Sequence, residues 1–149
     1  MAPHTMNRSI QVSLTQSFDL APEKVFDAWL DIEQISKWMF GPGVRDEEIV
    51  SMELDPSIGG KFSFVVIRNG QKINHVGSYI EIQRPNKLVF TWGIDYEPEE
   101  ESIVTITITS TTKGCELTLK HQLDPKWQKY SRQTKNGWEH MLNKLHELL

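Results

Sequence analysis

PKWQKYSRQTKNGWEHMLNKLHELL, residues 125–149, closes the chain and decides how the rest must be arranged. Trp127, Tyr130, Thr134, Trp138, Met141, Leu145 and Leu148 recur at intervals of three and four, and Leu142 and Leu149 widen the stripe. That spacing predicts one amphipathic helix over about residues 125–149. At about 1.5 Å per residue it would be roughly 36 Å long, enough to cross a whole sheet. Its two halves differ. Met141, Leu142, Leu145, Leu148 and Leu149 are aliphatic, whereas the first half mixes aromatic side chains with Thr134, Ser131 and Gly137. Glycine inside a helix costs about 1 kcal/mol relative to alanine. Gly137 therefore predicts either a close approach of the helix to the sheet or a space that a side chain would fill.

The preceding chain reads as the sheet such a helix needs. Ile10, Val12, Leu14 and Phe18 suggest a first strand over about 9–18. Pro22 and Glu23 then suit a first helical turn, Val25, Phe26, Trp29 and Leu30 make a short amphipathic helix, and Ile32, Ile35 and Trp38 extend into a second. From about 44 to 122 short alternating segments are separated by turns. Asn69-Gly70 is the strongest turn, a hairpin dipeptide, with Pro85-Asn86 and Lys113-Gly114 after it. Phe62, Phe64 and Val66, then Leu88, Phe90, Trp92 and Ile94, then Val104, Ile106 and Ile108 give the sheet one apolar, aromatic face. Ser63, Thr91, Thr105, Thr107 and Thr109 suit a solvated opposite face. Cys115, Leu117, Leu119 and His121 continue the inward series in the last strand, so Cys115 is read as a packing residue. Asp95, Glu97, Glu99, Glu100 and Glu101 read as a solvated acidic loop.

Trp38, Met39 and Phe40 stand in a row before Gly41-Pro42-Gly43. Consecutive residues cannot share one face of a regular element, so at least one is expected to look away from an ordinary core. A hollow between sheet and helix, with these three at its mouth, would cover them.

The chain's 149 residues suit a single domain over 9–149 after a flexible N-terminus at 1–8. The net charge of −4 is opposite to a nucleic-acid footprint, so no nucleic-acid partner is expected. No apolar run approaches the ~18 residues of a membrane span, and MAPHTMNRS lacks the apolar stretch of a secretory signal. The cytoplasm is the expected compartment, without stable membrane anchoring. The polar face of the last helix carries lysines, but its apolar stripe is needed to close the core. Cys115 stands alone, no HExxH or nucleophile-elbow spacing occurs, and no metal or cofactor is expected.

LAPEKVFDAWLDIEQISKWMFGPG, LDPSIGGKFSFVV, HVGSYIEIQRPNKLVFTW, LTLKHQL and NGWEHMLNKLHELL, in that order, resemble the stand-alone bacterial members of the family named for the activator of the heat-shock-90 ATPase. That family lies in the START-like (SRPBCC), helix-grip superfamily, with polyketide cyclases and the birch-pollen allergen. The resemblance covers about residues 9–149. It implies an α+β fold: a curved antiparallel sheet of six or seven strands gripping a long C-terminal helix, two short helices after the first strand, and a hydrophobic cavity under the helix.

The leading expectation is a binding protein for a small apolar or aromatic molecule. Trp38, Met39 and Phe40 would form the rim, Phe64, Trp92, Trp127, Tyr130, Thr134 and Trp138 the walls, and His121 the polar anchor. Two alternatives remain open. An enzyme of the cyclase or hydrolase type would use His121 as acid or base, oriented by a carboxylate such as Asp124 or Asp55. A chaperone-associated interaction module would use an exposed apolar patch, made partly by residues 38–42, to bind a protein partner.

Overall fold

In the computed structural model, which describes residues 10–95 and 102–149, the alternating N-terminal segment forms strand β1 (Ile10–Phe18). The expected flexible N-terminus and the acidic positions Glu97, Glu99, Glu100 and Glu101 lie outside the described residues. Two short helices follow. Pro22 starts α1 (Pro22–Asp27), and Asp31 caps α2 (Ile32–Trp38) by accepting the Glu33 N–H at 3.0 Å.

The meander then runs through β2 (Glu48–Leu54), β3 (Lys61–Arg68), β4 (Gln71–Gln83), β5 (Lys87–Ile94), β6 (Ser102–Ser110) and β7 (Cys115–Leu123). Asn69 and Gly70 both take positive φ (55° and 76°), as the hairpin dipeptide requires, so Arg68 pairs with Gln71 and Phe64 with His75. The sheet is antiparallel throughout, in the order β1-β7-β6-β5-β4-β3-β2. β1 thus closes onto the last strand, while α1 and α2 carry the chain to the opposite edge. Register shifts at Ile49/Ser51 and Tyr79/Glu81 mark bulges, which add twist and bend to a sheet. At Gly77 a Cβ would sit 2.0 Å from the Thr91 carbonyl oxygen and 2.4 Å from the Phe62 ring, so only glycine lets that ring lie across β4.

The C-terminal segment is not one continuous α-helix. Asp124 accepts the Lys126 N–H at 3.0 Å and Pro125 opens a 3-10 turn (Pro125–Tyr130), after which α3 (Ser131–Leu148) runs 18 residues, about 27 Å. The reason is local: no residue of the 3-10 turn is buried, so no core holds its stripe in α-helical register, and the aspartate cap with proline favours the tighter turn. The core-closing part is the second half of the stripe, where Trp138, Met141, Leu142 and Leu145 are buried against Phe18, Leu117, Leu119 and Phe26 in one cluster.

Trp38, Met39 and Phe40 are all buried, at 0, 2 and 1% exposure, which corrects their placement at an open rim. The helix ends at Trp38 and the chain turns, so three consecutive side chains enter three parts of one interior. The Trp38 indole packs edge-on to Trp29 at 4.6 Å and donates to the Ala28 carbonyl at 3.0 Å. Met39 lies among Phe62, Phe64 and Tyr79. Phe40 turns toward His75 and Trp92. With these side chains inside, Trp38, Met39 and Phe40 contribute nothing to the exposed apolar patch that the interaction-module alternative drew on in part.

Candidate functional site

Under the opening turns of α3 the sheet and helix part, leaving a cavity of about 370 Å³. The sheet contributes Arg68 from β3, His75 from β4, Trp92 from β5, Ser102 from β6 and His121 from β7; the helical segment contributes Trp127, Tyr130, Thr134, Gly137 and Trp138; Phe40 and Arg45 close one end. A Cβ on Gly137 would meet nothing within 4 Å. Gly137 therefore keeps a space open and is not a point of close helix–sheet approach. The Trp92 and Trp138 rings meet at 5.3 Å in this space.

Of the expected site residues, Phe40, Trp92, His121, Trp127, Tyr130, Thr134 and Trp138 line the cavity. Trp38, Met39 and Phe64 do not. Phe64 is 2% exposed and supports Phe40 from beneath, their rings 5.6 Å apart.

His121, 3% exposed, sits in a defined hydrogen-bond chain. The Trp138 indole N–H, which can only donate, points to His121 Nδ1 at 3.0 Å. Nδ1 is then the acceptor, and Nε2–H donates to Ser102 Oγ at 2.6 Å. Ser102 in turn donates to the Trp92 carbonyl at 3.0 Å. Burial lowers the His121 pKa to about 4, in keeping with a neutral ring that accepts the indole proton. The expected carboxylate partners are engaged elsewhere: Asp124 caps the 3-10 turn, and Asp55 accepts the Ser57 hydroxyl at 2.7 Å. The polarity of the chain bears on chemistry. A histidine that activates a serine must accept from it, whereas here the nitrogen facing Ser102 carries the proton. In this arrangement His121 is an oriented donor to Ser102 and does not serve as its base.

The polar end opposite His121 centres on Glu47, which is 5% exposed. Its carboxylate accepts the Gly41 N–H at 2.8 Å, Arg45 Nη1 at 2.9 Å and Arg68 Nε at 2.8 Å. Arg45 also donates to the Met39 carbonyl at 3.0 Å, and its guanidinium lies 5.6 Å above the Phe40 ring. Burial, with Arg68 nearby, lowers the Arg45 pKa. His75 stands beside this group, 8% exposed, its ring 4.7 Å from Phe40 and stacked on Trp92 at 5.5 Å. Burial first, and then the Arg68 charge, lower its pKa to about 4. Neither His75 nitrogen has a hydrogen-bond partner among the described residues.

Sequence reasoning passed over His75, Arg68, Arg45, Glu47 and Ser102. Three of these had a signal. With Asn69-Gly70 as a two-residue turn, Phe64 falls opposite His75; Arg68 shares the parity of Phe64 and Val66, and Ser102 that of Val104 and Ile106. Arg45 and Glu47 lie between α2 and β2, where no periodicity applies.

Among the described residues no three or more histidine, cysteine, aspartate or glutamate side chains gather as metal ligands, and no helix is long and apolar enough to cross a membrane. The family model for Activator of Hsp90 ATPase homolog 1-like protein matches residues 19–149. None of the curated protein sequences matches the chain. Among solved structures, protein CV1439 from Chromobacterium violaceum is similar with a TM-score of 0.76 at 24% identity, over 93% of this chain and 95% of that one. SA2116 from Staphylococcus aureus, described as of unknown function, reaches 0.80 at 19% identity, over 93% and 92%. An AHSA1-like protein from Aeromonas hydrophila reaches 0.74 at 17% identity, over 93% and 90%. At these identities the structures establish a common fold, the helix-grip arrangement, and nothing finer.

Proposed function

This chain belongs to the Activator of Hsp90 ATPase homolog 1-like family, and from that premise and the walls of its cavity we propose that it is a binding protein for a small apolar or aromatic molecule held under α3. The observation that carries the reading is the open space at Gly137. The helix keeps a residue that weakens it, and the missing side chain leaves room between aromatic walls. About 370 Å³ falls near the lower end of the ~300–1,000 Å³ common for small-molecule sites, which favours a ring compound over a long-chain lipid. Each Å² of apolar ligand surface removed from water contributes about 25 cal/mol, so ring contact supplies affinity and the few polar groups set orientation.

Tryptophan emission is the natural reporter, because Trp92, Trp127 and Trp138 line the space. Titration with naphthalene derivatives and sterols is expected to change it saturably in wild type and not in Gly137→Leu, whose side chain would occupy the hollow. No response from wild type to any compound, or equal responses from both proteins, would remove the reading.

A further inference from the structure

Two features of the cavity are left unused by apolar binding alone, and an inference from them rests on the cavity-binding reading and adds the chemical class of the occupant. The first is His75. A buried polar side chain without a partner opposes folding, and native structures satisfy nearly all such groups. Here both ring nitrogens of a histidine that is 8% exposed lack partners among the described residues, while the ring is stacked as a phenylalanine could be. The second is charge. Among the described residues, Arg45 and Arg68 share a single carboxylate, Glu47, and both line the cavity, so this group of three carries one positive charge in excess. Glu47 has no exposed side-chain surface and does not line the cavity, whereas the arginine side chains keep 24% and 29% of theirs and do line it, so the excess lies on the cavity side.

We propose that the occupant is an aromatic or alicyclic carboxylic acid: its carboxylate lies against Arg45 and Arg68 and accepts the His75 N–H, and its ring lies in the space left open at Gly137, against the touching Trp92 and Trp138 rings. The arginine excess argues against a cationic occupant, which the aromatic walls alone would accept. It matches a monoanion in charge. His121 takes no part in this recognition, since both of its nitrogens are already paired.

The test is calorimetric titration of the whole chain with naphthylacetate, its neutral isostere naphthylacetamide, and naphthylethylamine. Wild type is expected to bind the acetate roughly tenfold or more tighter than the amide, and the amine weakest. His75→Phe keeps the ring contacts and removes the unpaired nitrogens, so it should fold at least as stably as wild type yet lose most of the acid preference. Arg68→Gln should lose it as well. An amide that binds as tightly as the acetate, a tighter amine, or an undiminished acid preference in His75→Phe would overturn the inference and leave apolar binding standing. Failure of wild type to bind any of the three would overturn the inference, and together with silence toward sterols it would overturn the cavity-binding reading as well.

Discussion

Trp138 donates its indole N–H to Nδ1 of His121 at 3.0 Å, and that one bond fixes the protonation pattern of the cavity wall. It makes Nδ1 an acceptor, puts the ring proton on Nε2 and turns Ser102 into a donor toward the Trp92 carbonyl. The helix, β7, β6 and β5 are tied together through one neutral imidazole. A protonated His121 would face the indole N–H with a second N–H, so the chain and the charged ring are incompatible.

Trp138→Phe should therefore do more than remove contact area. With the donor gone, Nδ1 can carry a proton, and nitrogen NMR of His121 should show a mixed tautomer and a pKa higher than in wild type. The unpaired buried nitrogen costs about 1–3 kcal/mol in chemical denaturation. An unchanged Nε2–H ring in the variant would show that the indole bond does not set the tautomer.

Acid sensitivity follows from both buried histidines. Each is held near pKa 4 in the folded state and returns to about 6.5 when unfolded. Between these values the unfolded chain binds the extra protons, so their contribution to stability is complete above about 6.5 and is lost as pH falls through 4. At pH 5 linkage gives a loss on the order of 2 kcal/mol for each. Denaturation midpoints measured from pH 7.5 to 4.5 should fall accordingly, and about half of the slope should disappear in His75→Phe. A flat profile for wild type would contradict burial of the neutral forms.

Glu47 holds Arg45, Arg68 and the Gly41 N–H at once. Removing one partner of a buried ion pair commonly costs about 3–5 kcal/mol, but both arginine side chains here are partly exposed, which lowers the figure. Glu47→Gln is expected to cost roughly 2 kcal/mol, read as a lower urea midpoint at unchanged slope. A neutral result would mean that the arginines re-solvate freely and do not hold one end of the cavity in place.

How much of this was legible in the sequence depends on whether a residue sits in a periodic segment. The Asn69-Gly70 hairpin, the inward runs of β5, β6 and β7 and the aliphatic half of α3 follow from spacing alone, and they are found where spacing put them. Trp38, Met39 and Phe40 were misplaced because the one-face rule holds only inside a regular element, and α2 ends at the first of them. The 3-10 turn was missed because Trp127 and Tyr130 keep helical spacing while no core lies beneath them. His75 was legible only in combination: the turn gives the register, and the register gives the face. Glu47 required the tertiary structure, since its partners come from the α2 end, the loop after it and β3.

Two glycines separate packing from open space, and opposite responses to one methyl group make the last prediction. At Gly77 a Cβ would lie 2.0 Å from the Thr91 carbonyl oxygen and 2.4 Å from the Phe62 ring, so Gly77→Ala must displace backbone or an aromatic side chain. Overpacking of that kind costs about 1–3 kcal/mol. At Gly137 the same methyl meets nothing within 4 Å and lies inside an 18-residue helix, where alanine is favoured over glycine by about 1 kcal/mol. Gly137→Ala should thus raise the melting temperature by several degrees while Gly77→Ala lowers it. The gain should be paired with weaker ligand binding, because the added carbon begins to fill the hollow. A destabilised Gly137→Ala would mean that the helix closes onto the sheet in solution, and the cavity would then not be the place where this protein acts.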